Sequence, residues 1–269
     1  MGDQNPRLRP AEEFTQAMKD RLAMRLLMRP DRRDLGEPLP MTQVAWDLPL
    51  DTPEQAAHRV SELVKALATE RLIVPITVEA DPDDPDHRPL DPNKSPLKVE
   101  SSPYGDSVVA FTSAGELADW DPAGRPMTMK SFRVAVGAAA ATDSGTITLN
   151  PASPRSVLIP RPAVLALSVG DPWLPAWENA ELTSQLRAQA VDACPAVVGL
   201  RLRPASGAEG GWDGGVAVDV YVDSQRLPVG DPSDGKACLA AALGAVGRNP
   251  MLKEAAQRVE LVPRPVAGA

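Results

Sequence analysis

His58 stands four residues from a carboxylate on either side, Glu54 and Glu62. On a helix this spacing puts the three side chains along one stripe, and an imidazole between two carboxylates can begin a divalent-cation site. Exposed helices use the same triplet for ordinary surface pairing. The other histidine, His87, is distant and no cysteine is near either one. Surface pairing is therefore the expectation, and no metal ligand is assigned.

Other chemical motifs fail on their own terms. The aspartates from Asp81 have the density of a calcium loop. However, the sixth position is Asp86 instead of glycine and the twelfth is Pro92 instead of glutamate. A solvated acidic loop is expected there. There is no G-x-S-x-G elbow and no phosphate loop ending in G-K-[ST]. The glycines within 207–215 lie between two predicted strands, whereas a dinucleotide loop opens a helix. Cys194 precedes Pro195 at a helix end and Cys238 falls inside a helix. Two buried structural thiols are expected. No catalytic residue, cofactor site or cofactor is assigned.

Two features suit binding better than catalysis. Residues 10–28 read as an amphipathic helix with Phe14, Met18, Leu22 and Leu26 repeating every four residues. Arg25 and Arg29, with Arg21, Arg32 and Arg33, lie along or just beyond it. The stripe fits an intramolecular core, a partner's groove, or with its arginines an RNA surface. Trp173-Leu174-Pro175-Ala176-Trp177 places two indoles in a rigid segment. Trp173 and Trp177 suit either a binding hot spot or a plug between domains.

The bulk properties limit the partner. The 269 residues carry a net charge of −8, which argues against a general role on nucleic acid or anionic lipid. No run approaches the roughly 18 apolar residues of a spanning helix, so no membrane partner is expected. Met-Gly-Asp-Gln-Asn-Pro lacks the basic start and apolar run of a signal peptide, and a cytoplasmic protein is expected. The leading expectation is a non-enzymatic interaction or regulatory protein with an unknown protein partner. The alternatives are a small-molecule binder or enzyme, and an RNA- or ribosome-associated factor.

These residues must be held by a scaffold whose elements are partly legible. Thr52-Pro53-Glu54-Gln55 is a capping box with proline at the first helical position, opening a helix with Val60, Leu63, Val64 and Leu67 on one face. A strand follows over 72–78, with Pro75 marking an edge or bulge. Residues 80–106 are expected to be loop. A strand over 108–112 leads to Ser113-Ala114-Gly115-Glu116, a second helix start, and then to a strand over 127–130. An alanine-rich helix over 131–141, two short strands and a helix over 162–169 follow, with Gly170 as the stop. A second unit holds a helix over 179–193, two strands with Val216, Val218, Val220 and Val222 on one face of the second, a helix over 233–246 and a final strand. An antiparallel sheet is expected for it.

Several short motifs in the first unit resemble the SseB family. They are Arg71-Leu72-Ile73-Val74-Pro75, Ala110-Phe111-Thr112-Ser113 with Leu117 and Trp120, Trp120-Asp121-Pro122, Arg125-Pro126, and Asn150-Pro151-Ala152. Pro160-Arg161-Pro162-Ala163 and Gly170-Asp171-Pro172-Trp173-Leu174-Pro175 look like its actinobacterial branch. The resemblance covers about residues 54–177, and the C-terminal unit is similar to the tail of that branch. It implies structural roles: Pro75 shapes a strand, Ser113 caps a helix, and Phe111 and Trp120 fill a core. It carries over no catalytic residue. The fold class expected is α/β (α+β). An N-terminal extension over 1–50 precedes a mixed-sheet SseB-like domain over 51–177 and a smaller antiparallel α+β domain over 178–269.

Overall fold

A computed structural model describes residues 34–76, 97–207, 211–228 and 232–266. The helix read over 10–28, with Phe14, Met18, Leu22, Arg25, Leu26 and Arg29, lies outside the described residues, as does the acidic loop from Asp81.

Helix α1 (Pro40–Trp46) starts on a proline and was not expected from the sequence. Helix α2 (Pro53–Leu67) starts as expected. Thr52 Oγ1 accepts from the Gln55 N–H and the Thr52 N–H donates to Gln55 Oε1, each at 3.2 Å. Val60, Leu63, Val64 and Leu67 point from α2 into the first core. Arg59, 2 % exposed, fastens the end of α1 to α2. Its Nε donates to Trp46 O at 3.1 Å, and its guanidinium lies 4.4 Å from the centre of the Trp46 ring. Burial, with Arg155 nearby, pushes its pKa down to about 10.

Strand β1 (Arg71–Ile76) pairs antiparallel with β4 (Arg125–Lys130). Pro75 faces Pro126, so each missing donor falls in a two-stranded ladder that has no interior strand to disrupt. A bridge between Ile73 and Phe111 links this ladder to the end of β3. The second sheet has the order β2 (Val99–Ser102), β3 (Gly105–Ala110), β5 (Ile147–Leu149) and β6 (Val157–Ile159). Its β3–β5 pair is parallel and the other pairs are antiparallel. The β2–β3 hairpin corrects the expectation of a loop through 106. Its tight turn uses Gly105 at φ 105°, and β2 alternates exposed with half-buried residues, a weak sequence signal. Helices α3 (Ala114–Trp120), α4 (Ser131–Ala141) and α5 (Arg161–Val169) complete this part. Ser113 Oγ accepts from the Glu116 N–H at 3.2 Å, and Gly170 ends α5 at φ 79°.

The second core joins α6 (Ala180–Ala193) and α7 (Pro232–Gly247) to the sheet β7 (Val197–Pro204), β8 (Gly215–Asp223) and β9 (Arg258–Val266). The short helix α8 (Pro250–Ala255) precedes β9. Val216, Val218, Val220 and Val222 fill the helix-facing side. The expectation of an antiparallel C-terminal sheet is corrected here. The β7–β8 pair is antiparallel, but β9 runs parallel to β8 because α7 and α8 carry the chain back to the same end. The fold is α+β, with mixed and antiparallel sheets.

The two cysteines also differ from expectation. Cys194 at the end of α6 and Cys238 in α7 form a disulfide with Cα atoms 5.1 Å apart. Packing of α6 beside α7 brings together residues 44 apart in sequence, a proximity that no local spacing encodes.

Candidate functional site

A cleft of about 400 Å³ runs between α2 and β7. Helical spacing puts Glu54, Ala57, His58 and Ser61 on the stripe facing it, beside the stripe of Val60, Leu63, Val64 and Leu67 that enters the first core. Ala57 and Ser61 are buried at its floor, while Glu54 and His58 stand exposed at its rim. Trp177 and Glu178, from the 3-10 turn Ala176–Glu178, and Thr183 of α6 close one end. Five consecutive residues of β7, Leu200 to Pro204, form the opposite wall. A strand can offer consecutive residues only along its edge, because its side chains alternate between two faces. The second sheet face therefore does not form this wall.

The tryptophan segment is held by packing. Trp177 meets Trp173 edge-on at 6.5 Å and Trp212 edge-on at 5.5 Å, while Trp173 stacks on Trp212 at 6.3 Å. Trp212 Nε1 donates to Gly215 O at 2.7 Å, which fixes the third ring. Trp177 forms a wall of the cleft, whereas Trp173 does not line it. The Trp173 indole N–H is buried without an acceptor among the described residues.

Charge is distributed unevenly along β7. Arg203 is already paired: its Nε meets Asp219 Oδ2 at 2.8 Å, and Arg264 Nε shares the same carboxylate at Oδ1, 3.1 Å away. Arg201 is exposed and has no ion pair among the described residues. Burial pushes the Asp219 carboxyl upward, but hydrogen bonds from Arg203 and Arg264 outweigh it and hold the group below the usual carboxylate range. A folded-state pKa below the unfolded value means that the stabilisation is present above the unfolded pKa, about 3.9 for aspartate, and is lost as pH falls through the folded one. Asp219→Asn should therefore lose about 2 kcal/mol at pH 7 and converge on the parent as the pH falls toward 2. Urea titrations from pH 7 to 2 would measure both curves, and a constant gap would refute this account.

The site lacks the geometry of a metal centre or a charge relay. Among the described residues, no group of three His, Cys, Asp or Glu side chains could hold a metal ion. Glu62 instead pairs with Lys65 at 2.7 Å. No hydrogen bond joins His58 to Ser61 among the described residues, although both line the cleft. Sequence reading singled out His58 and Trp177 but not Ser61, Arg201 or Leu200. The alternation of Leu200 and Leu202 with Arg201 and Arg203 marks the first of the two strands expected in the second unit. That its edge would face α2 is a tertiary fact without a local signal. No helix among the described residues is long and apolar enough to cross a membrane.

Residues 50–166 match the SseB protein N-terminal domain. No curated protein and no solved structure matches the chain. The match includes the α2 wall of the cleft and ends before its Trp177 and β7 walls. Residues 50–166 of the chain thus form a segment similar to the SseB protein N-terminal domain, and the match supports assigning that segment to the SseB family.

Proposed function

We propose that the protein works by binding a polypeptide partner in the cleft between α2 and β7, as a non-enzymatic interaction or regulatory protein. The observation supporting this reading is the edge of β7, which borders an open cleft with an indole at one end and charges of both signs along its length. Polypeptides supply the matching chemistry: main-chain donors and acceptors, together with side chains of either charge.

Filling the cleft tests the proposal. Ser61→Trp builds an indole from the floor, and Arg201→Glu reverses the exposed charge at the wall. Partners captured from the source lysate by the parent protein should fall about tenfold with either variant, read by quantitative mass spectrometry. Circular dichroism would check that both variants fold. Capture unchanged by both substitutions would end this reading. Some small-molecule sites have similar volume, since they begin near 300 Å³. A metabolite that raises the melting temperature of the parent, but not of Ser61→Trp, would favour that alternative.

A further inference from the structure

The C-terminal sheet has two edges, and the sequence treats them differently. The outer strand β9 carries Pro263 and Pro265 at alternate positions. Both lie opposite paired positions of β8, Val220 and Val222, so their missing N–H groups belong to the solvent side. Prolines of this kind prevent another strand from joining an edge.

The β7 edge carries one such proline, Pro204 at its end, and α2 faces this edge across the cleft. The Ala205 N–H donates to Gly215 O at 3.0 Å, one step beyond the Pro204–Val216 pair. Alternation then turns the main chains of Arg203 and Arg201 toward β8 and those of Leu202 and Leu200 away from it. Pro204 falls in the outward set, where it removes no ladder bond. Two residues, Leu200 and Leu202, thus direct an N–H and a C=O each into the cleft. The cleft is also long enough for a short strand. Leu200 to Pro204 span about 13 Å, which matches three or four extended residues.

We propose that the occupant adds to β7 as a fourth strand, and that it is an extended peptide segment alternating acidic and aliphatic residues. This inference rests on the binding function proposed above. The alternation follows from the two faces of β7. Arg201 presents a guanidinium without an ion pair among the described residues on one face, while Leu200 and Leu202 pack with the second core on the other. An added strand places its own side chains beside these in the same alternation. An acidic residue therefore meets Arg201, and aliphatic neighbours extend the leucine face toward Trp177. Arg203 makes no such demand, because Asp219 already pairs with it.

The probe is a phage-displayed library of random dodecapeptides, panned on the full chain. Enriched peptides should alternate acidic and aliphatic residues. N-methylation at every second main-chain nitrogen should weaken the best peptide about tenfold, while methylation at the intervening nitrogens leaves it unchanged. In the complex, the Leu200 and Leu202 amides should exchange with solvent at least about tenfold more slowly. Arg201→Glu should shift enrichment toward basic residues. Peptides that are lost with Ser61→Trp but indifferent to N-methylation, or that leave both amides unprotected, would overturn strand addition while leaving cleft binding intact. No enrichment, or peptides indifferent to Ser61→Trp, would overturn both.

Discussion

Cys238→Ser is expected to destabilise the protein by about 4 kcal/mol. The bond to Cys194 closes a loop with a sequence separation of 44, and loop-closure entropy for that length accounts for a loss of this size. Cys238 is half-buried while Cys194 is fully buried, so serine at 238 removes the link with the smaller disturbance to packing. The link also has a specific mechanical role. The first half of α7 exposes Ser233, Asp234, Lys236 and Ala237, whereas Ala242 and Val246 in its second half are buried. Its early turns therefore have few apolar contacts other than the bond to α6. Urea unfolding with and without dithiothreitol would measure the effect. The parent should weaken by about 4 kcal/mol on reduction, and Cys238→Ser should not respond. A parent indifferent to reductant would mean that the two sulfurs are not joined in solution.

Asn150→Ala should cost a similar amount, about 4 kcal/mol, for unrelated reasons. Asn150 is fully buried and has φ 49°, the one positive value among the described residues other than glycine. Its Oδ1 accepts from the Thr112 N–H and its Nδ2 donates to Thr112 Oγ1, both at 2.9 Å. Alanine would leave two buried groups of Thr112 without these partners, at about 1–3 kcal/mol in total after relaxation. It would also replace asparagine, which tolerates left-handed backbone, with alanine, which does not, at about 1–2 kcal/mol. Asn150→Gly separates the two contributions, since glycine accepts the backbone angle but cannot restore the amide. Urea midpoints should rank the parent first, glycine second and alanine last. Equal losses in the two variants would show that backbone conformation contributes nothing.

Asn150 also illustrates the limits of sequence reading. Its motif, Asn150-Pro151-Ala152, contributed to the family resemblance, but only coordinates show that the asparagine ties the end of β3 to the turn after β5. Signals written within a few residues were legible. The Thr52 capping box, the Ser113 cap and the Gly170 stop appear where hydroxyl, amide and glycine chemistry place them. Helix α8 carries such a signal too: Asn249 caps it and Pro250 opens it, though the short segment was not recognised. Properties that depend on distant residues were not legible. The direction of β9, the Cys194–Cys238 bond and the meeting of Ser61 with Leu200 across the cleft depend on the assembled fold.

Helix α2 has one further consequence, which concerns inheritance. Its inward residues, Val60, Leu63, Val64 and Leu67, are answerable to folding, whereas Glu54, His58 and Ser61 on the neighbouring stripe face the cleft. The two sets interleave along one helix but occupy separate faces, so a substitution in one need not disturb the other. A lineage could therefore revise what this cleft recognises one codon at a time while every descendant kept the same architecture. Relatives sharing the domain would then be expected to agree on the inward set and to diverge at 54, 58 and 61.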